Sequence, residues 1–316
     1  MRKNANLHVS KRAKNDEFYT QITDVEKELK YYNQHFSDKI VLCNCNDALH
    51  TSFATYFSLM FESLGLKELI CTTFTMEEGG HGEVYHYYGE KNENGVLDIK
   101  EWKHYTLEGN GGFNTQEGID LIKYADIIVT NPPFSLFREF ISILFEYEKK
   151  FLIIGNVNAI TYKEIFPLIK ENKMWLGISL NATKCSFIVN EDYEGKHVYY
   201  DNSVKYAQIN NAVWFTNLDH KKRHEPLDFY KKYNSDEFPK YDNYDAINVK
   251  KVCDIPMDYN GIMGVPITFL NKYCPEQFEI IKFRKGDDNK DLSVNGKCPY
   301  FRILIKFISE TNENRQ

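Results

Sequence analysis

Between residues 39 and 74 the chain reads KIVLC, then a long helical run, then ELICTTF. The two flanking segments are short and almost wholly apolar. Between them Leu49, Phe53, Tyr56, Phe57, Met60, Phe61 and Leu64 recur at helical spacing, and Gly65 fits the position just past the helix end. A strand, a helix and a second strand within about 35 residues make a βαβ unit. Such a unit fixes much at once: the strands run parallel, the crossover is right-handed, and helices cover both faces of the sheet.

The alternation continues on either side. Thr23-x-x-Glu26 forms a capping box for a helix whose Val25, Leu29, Tyr32 and Phe36 share one face. A polar, glycine-rich stretch from 77 to 115 holds a hairpin around Tyr85–Tyr88 and Val96–Ile99. A short helix near 117–124 leads into the strand DIIVT, followed by a helix over 135–147 with Leu136, Phe140, Ile141 and Leu144 on one side. The strand FLIIG (151–155) comes next. A second capping box, Thr161-x-x-Glu164, opens a helix over 161–171, and strands follow near 174–179 and 185–189. From about residue 190 the pattern gives way to polar connections around isolated strands such as AVWFTNL and VPITFL.

The expected architecture is therefore α/β: a doubly wound, mostly parallel, Rossmann-like sheet over 16–190, preceded by a basic arm (1–15) and followed by an irregular C-terminal region (191–316). The arm carries Arg2, Lys3, Lys11, Arg12 and Lys14 and no acid before residue 15. It reads either as a solvated tail or as a contact for phosphate. A net charge of -6 argues against a purely electrostatic nucleic-acid binder, but not against one basic face. The seven cysteines show no CxxC spacing, so neither a zinc site nor a disulfide scaffold is expected. No apolar leader and no run of 18 apolar residues is present, so we expect a cytoplasmic protein without a membrane anchor.

One turn stands out. In DIIVTNPPFSLFREF (126–140) a strand runs into Asn131, Pro132, Pro133 and Phe134. The end of a strand in an open α/β sheet is where ligands bind. Each proline fixes its own φ, and Pro133 forces Pro132 to be extended. The Asn131 side-chain oxygen and the Pro132 carbonyl become two rigid acceptors, which match the two hydrogens of a planar amine. Gripping both N–H bonds draws the amine lone pair out of conjugation. Phe134 offers a flat face for a planar substrate. The plainer alternative is a helix entry with Ser135 as N-cap.

DIIVTNPPF resembles the catalytic motif of amino-methyltransferases that act on DNA adenine. NDEFYTQ, HFSDKIVLCNCND, FLIIGNVNAITYKEIF, DYNGIMGVPITFL and NGKCPYFRILIK extend the resemblance, specifically to the EcoRI-type adenine methyltransferase family, along most of the chain. The resemblance implies N6-methylation of adenine in double-stranded DNA by S-adenosyl-L-methionine, with the base flipped out of the stack. Asn131 and Pro132 would hold the amine, Phe134 would stack on the base, and no metal is implied. For the cofactor it points to Phe18, Tyr19 and Thr20, to Asn44, Cys45 and Asp47 in the loop after the first strand, to Glu77 or Glu78 for the ribose, to Phe113 in GNGGF, and to Asn131. Asn46 or Asp47 reads equally well as a helix cap. For DNA, the candidates are Lys11, Arg12, Lys14, Arg138, Lys221, Lys222, Arg223, Arg284, Lys285 and Arg302. The site GAATTC, a monomer, and a cognate restriction endonuclease acting on the same site without a stable complex complete the expectation. Two other readings are a catalytically degenerate DNA-binding regulator and a protein-glutamine methyltransferase, though the latter most often has tyrosine after the prolines and a glycine-rich first loop.

Overall fold

The computed structural model describes residues 19–44, 48, 51–89, 102–181, 185–189, 191, 193–194 and 197–308. These form two compact units, one of 1–159 with 177–218 and one of 160–176 with 219–316. Each is described by itself.

The first unit is built on an eight-stranded sheet of order β4-β3-β2-β1-β5-β6-β11-β7. Its centre is β1 (Ile40–Asn44), β2 (Glu68–Thr72), β5 (Ile127–Thr130) and β6 (Lys150–Asn156), paired in parallel throughout. These strands read as unbroken apolar runs because both faces are covered. Val41, Cys43, Leu69, Cys71, Ile127 and Val129 join one cluster with Val25, Leu29, Tyr32 and Phe36 from the N-terminal helical segment. That segment is α1 (Ile22–Leu29) and a 3-10 turn (Asn33–His35), so the apolar face is as the spacing predicts. On the other face Phe137 of α5 (Phe137–Glu146) packs over Gly155 of β6, where a Cβ would meet its ring at 2.4 Å, and against Phe215 at 4.8 Å.

The crossover helix starts later than expected. It is α2 (Ser52–Leu59), capped by the Thr51 side chain, and then α3 (Phe61–Leu64), closed by Gly65 at φ 64. Asn46 and Asp47 lie outside the described residues. Neither capping box caps its helix: Gln21 precedes α1, and α6 (Phe166–Lys170) follows Ile165, both without a side-chain cap bond. At the first of these starts the Gln21 side chain is engaged elsewhere, donating to the Ser186 carbonyl at 2.5 Å. The hairpin partner of β3 (Glu83–Tyr87) is β4 (Lys103–Thr106), antiparallel to it; Val96–Ile99 lies outside the described residues. α4 (Gln116–Tyr124) precedes β5, and β7 (Trp175–Asn181) ends the sheet.

AVWFTNL is not an isolated strand. As β11 (Ala212–Thr216) it runs antiparallel to β6 within the main sheet, past the boundary expected near 190. Trp214 and Phe215 fill opposite faces and are both fully buried. A smaller sheet, β8-β10-β9, comprises β8 (Cys185–Ile188), β9 (Val198–Asp201) and β10 (Val204–Ile209), all antiparallel.

One acid holds the end strand. Glu28 is fully buried on α1, and its carboxylate accepts from Tyr32 Oη (2.8 Å), Ile178 N (2.8 Å) and Ser179 N (2.6 Å). It thereby satisfies edge amides of β7. Burial raises its pKa, against the lowering effect of these bonds. A raised acid stabilises most below its unfolded pKa, and that contribution is lost as pH rises through the folded value. Glu28→Ala strands these donors and is expected to cost about 3 kcal/mol by urea unfolding.

The second unit is less irregular than its polar composition suggests. It holds a four-stranded sheet of order β12-β13-β15-β14, from β12 (Ile247–Asn248), β13 (Met263–Pro266), β14 (Phe278–Phe283) and β15 (Arg302–Phe307). Phe269, Phe278 and Phe307 pack in its core, with rings 5.2 and 4.6 Å apart along that series. The four strands are spread over residues 247–307 and separated by polar connections, which hides the pattern from a local window. His224 is held between two carboxylates, Nε2 at 2.8 Å from Asp219 and Nδ1 at 2.6 Å from Glu276. The bonds to Asp219 and then Glu276 raise its pKa above 6.5. The stabilisation is therefore complete below the unfolded pKa and lost as pH rises through the folded one. Between about pH 6 and about pH 9 the wild type is expected to lose more stability than His224→Gln, read as the difference in melting temperature.

Candidate active site

The strand order reverses at β1, with β2 on one side and β5 on the other. At such a switch point the chains leaving the two strands diverge, and a crevice opens at their carboxyl ends. Here those ends are Asn44 and Thr130-Asn131. The strands pair at Val41–Ile127 and Leu42–Ile128, and beyond that the Thr130 hydroxyl donates to the Asn44 carbonyl. A cavity of about 230 Å³ opens at this point. Asn44, Thr72 and Thr130 come to it from three strand ends, and Asn131, Pro132 and Pro133 form another wall.

The opposite wall is the GNGGF loop. Gly111 has φ 79, and a Cβ there would lie 2.0 Å from the Thr73 carbonyl oxygen. Gly82 N donates to Gly109 O (2.9 Å) and Thr75 N to Asn110 O (3.0 Å). The Glu117 carboxylate accepts from Glu108 N (2.9 Å) and Gly109 N (2.8 Å). Backbone thus packs on backbone, and glycine is required for it. The loop sets Asn110 and Phe113 on the cavity wall; Phe113 meets Phe140 edge-on at 4.8 Å.

The lining is amides, hydroxyls and aromatic rings. Asn44 Oδ1 is buried with no hydrogen-bond partner among the described residues. A buried orphan acceptor costs free energy unless a ligand donor meets it. An ammonium group supplies such a donor, and Phe74, Phe113 and Phe140 supply apolar walls for a flat ring. The residues present therefore fit an amino-acid nucleoside such as S-adenosyl-L-methionine.

Asn131 is half-buried, and its Nδ2 donates to Thr20 Oγ1 at 3.3 Å. Thr20 is 5% exposed. Tyr19 is bridged to Ile188 of β8 by two backbone bonds, of 2.9 and 3.1 Å, which carries the segment to this place. Neither Tyr19 nor Thr20 lines the cavity. Phe134 does not line it either: it opens a 3-10 turn (Phe134–Leu136) and packs, half-buried, against the cluster beneath α1 and α2. Ser135 lies inside that turn, and α5 has no side-chain cap, so the N-cap alternative does not hold.

Asn44, Phe113, Asn131 and Pro132 are brought together. Glu77 is exposed and off the cavity wall, as is Glu78; among the described residues no carboxylate lines it. Phe18, Cys45, Asp47, Lys11, Arg12 and Lys14 lie outside the described residues. Thr72, Phe74 and Asn110 line the site but were missed. Their signal was position alone, at or just past the end of β2 and inside GNGGF.

The cationic candidates differ in exposure and in the partners described for them. Arg138, Lys221 and Lys222 are exposed. Arg284 forks onto Asp291, and Lys285 Nζ lies 2.7 Å from the same carboxylate. Those bonds, Arg284 first, hold Asp291 at about 2. Arg223 stacks on Trp175 at 4.0 Å and donates to Asn172 at 2.8 Å. Arg302 donates to Asn248 Oδ1 at 3.1 Å, and burial lowers its pKa. In these four the charge is engaged within the protein, a pairing that single-residue reading does not see.

Among the described residues no group of His, Cys, Asp or Glu is arranged to hold a metal ion, and no helix is long and apolar enough to cross a membrane. The family described as "Adenine-specific methyltransferase EcoRI" matches residues 6–307. The Type II methyltransferase M.EcoRI of Escherichia coli is 54% identical over 313 residues, 95% of each chain. M.MgeORF184P of Mycoplasma genitalium is 39% identical over 94% of this chain and 97% of its own. M.MpnI of Mycoplasma pneumoniae is 38% identical over 94% and 96%. No solved structure gives a significant match.

Proposed function

The chain belongs to the EcoRI family of adenine-specific DNA methyltransferases, and on that premise we propose that it methylates N6 of an adenine flipped out of a specific duplex site, with S-adenosyl-L-methionine as donor. One observation carries the reading: Asn131 and Pro132 line the same cavity as the orphaned Asn44 Oδ1. The amine-gripping edge and the acceptor for the donor's ammonium thus share one space. When bound, the cofactor supplies a sulfonium methyl. The chain supplies the rest. Asn131 Oδ1 and the Pro132 carbonyl accept the two N–H bonds, so the nitrogen lone pair leaves conjugation and becomes the nucleophile. Pro133, with φ -53 and ψ 129, holds the turn, so orientation is settled on folding. Phe134, off the cavity wall, is proposed to stack on the base.

We extend the proposal to the site GAATTC, to a monomer acting beside an endonuclease without a stable complex, and to exposed Arg138, Lys221 and Lys222 as phosphate contacts. Purified protein with methyl-labelled S-adenosyl-L-methionine and a GAATTC duplex is expected to label adenine. Absence of label on any duplex overturns the reading. Label confined to a different sequence overturns the site alone.

A further inference from the structure

Thr20 has no place on the cavity wall, yet it is nearly buried and its hydroxyl meets Asn131. A carboxamide carries two atoms of similar size and opposite chemistry. Only the oxygen accepts from an amine; the nitrogen would set donor against donor. The Asn131 side chain therefore works in one of its two flip states. In the structure Nδ2 is the atom on Thr20 Oγ1, at 3.3 Å.

We infer that Thr20 is a positioning residue: its hydroxyl accepts from Asn131 Nδ2 and so holds the carboxamide in the orientation in which Oδ1 meets the adenine amine. This rests on the proposed N6-methylation and names a role within it. Thr20 is itself fixed. Tyr19 N donates to Ile188 O (2.9 Å), Ile188 N to Tyr19 O (3.1 Å), and Gln21 Nε2 to Ser186 O (2.5 Å), so both neighbours of Thr20 are pinned to β8. The prolines fix the backbone of the motif, and the small sheet holds the amide's orientation through Thr20.

Thr20→Val is isosteric and lacks the hydroxyl. It is expected to lower kcat about 10-fold, as expected for a lost orienting contact. Cofactor affinity of the free protein, by calorimetry, should stay at the wild-type value, and Thr20→Ser should restore kcat. Added to Asn131→Ala, Thr20→Val should cost nothing more, a coupling that a role in folding alone would not produce. Wild-type kcat in Thr20→Val, a loss confined to cofactor affinity, an equally slow Thr20→Ser, or additive losses in the double variant would each overturn the inference. Failure of the wild type to methylate any DNA would instead strike the parent reading.

Discussion

Asn131→Ala is expected to lower methyl transfer by about 10²-fold or more, with duplex binding and fold intact. The magnitude is that of removing one polar contact preorganised for the reacting group. The residue sits past the end of β5, is half-buried, and is braced by Pro132 and Pro133 behind it and by Thr20 at its nitrogen. Its removal takes away an acceptor without disturbing the core, because the buried load of the turn is borne by Pro132 and Phe137. Single-turnover rates at saturating DNA and cofactor separate this loss from binding. A variant within a few-fold of the wild type would remove Asn131 from the chemistry.

Gly111→Ala should be the most damaging small substitution in the first unit. Its Cβ would stand 2.0 Å from the Thr73 carbonyl oxygen, and its φ of 79 is one that alanine adopts at a cost of about 1 kcal/mol. Neither partner yields easily. Thr73 N is bonded to Glu83 O at 2.9 Å, and Gly82 packs on Gly111 from the other side, where a Cβ added to Gly82 would fall 2.6 Å from the Gly111 Cα. Relief requires the GNGGF loop to leave β2, which opens the wall carrying Asn110 and Phe113. The expected result is a loss of about 3 kcal/mol or more in urea unfolding, together with weakened cofactor binding. Gly79, with a similar φ of 75 but nothing within 4 Å, is the control: Gly79→Ala should cost about 1 kcal/mol and leave binding unchanged.

The central strands were legible because a parallel sheet covered on both faces writes itself as continuous apolar runs, as IVLC and IIVT do. NPPF was legible because two prolines after a strand fix geometry locally. What escaped is non-local. The start of α2 is capped locally by Thr51, and at the start of α1 Gln21 stands at the N-cap with its side chain on Ser186 of β8, a contact that no capping pattern announces. β11 was invisible as a sheet member because its partner β6 lies about 60 residues earlier, at Leu152–Asn156. GNGGF looked like a cofactor loop lacking its acid; the nearby Glu117 is engaged on Glu108 and Gly109 amides, and the glycines serve a close backbone crossing. Arg284 and Lys285 looked like a basic patch until Asp291 appeared between them. Thr20 and Asn131 are 111 residues apart, and nothing local in either segment announces their contact.

Expression in a host that lacks adenine methylation, followed by modification-sensitive sequencing of its DNA, reads activity, base and site together. The expected result is N6-methyladenine at one fixed sequence, GAATTC, and none in cells carrying Asn131→Ala. Unmodified adenine throughout, or methyl groups on cytosine, would contradict it.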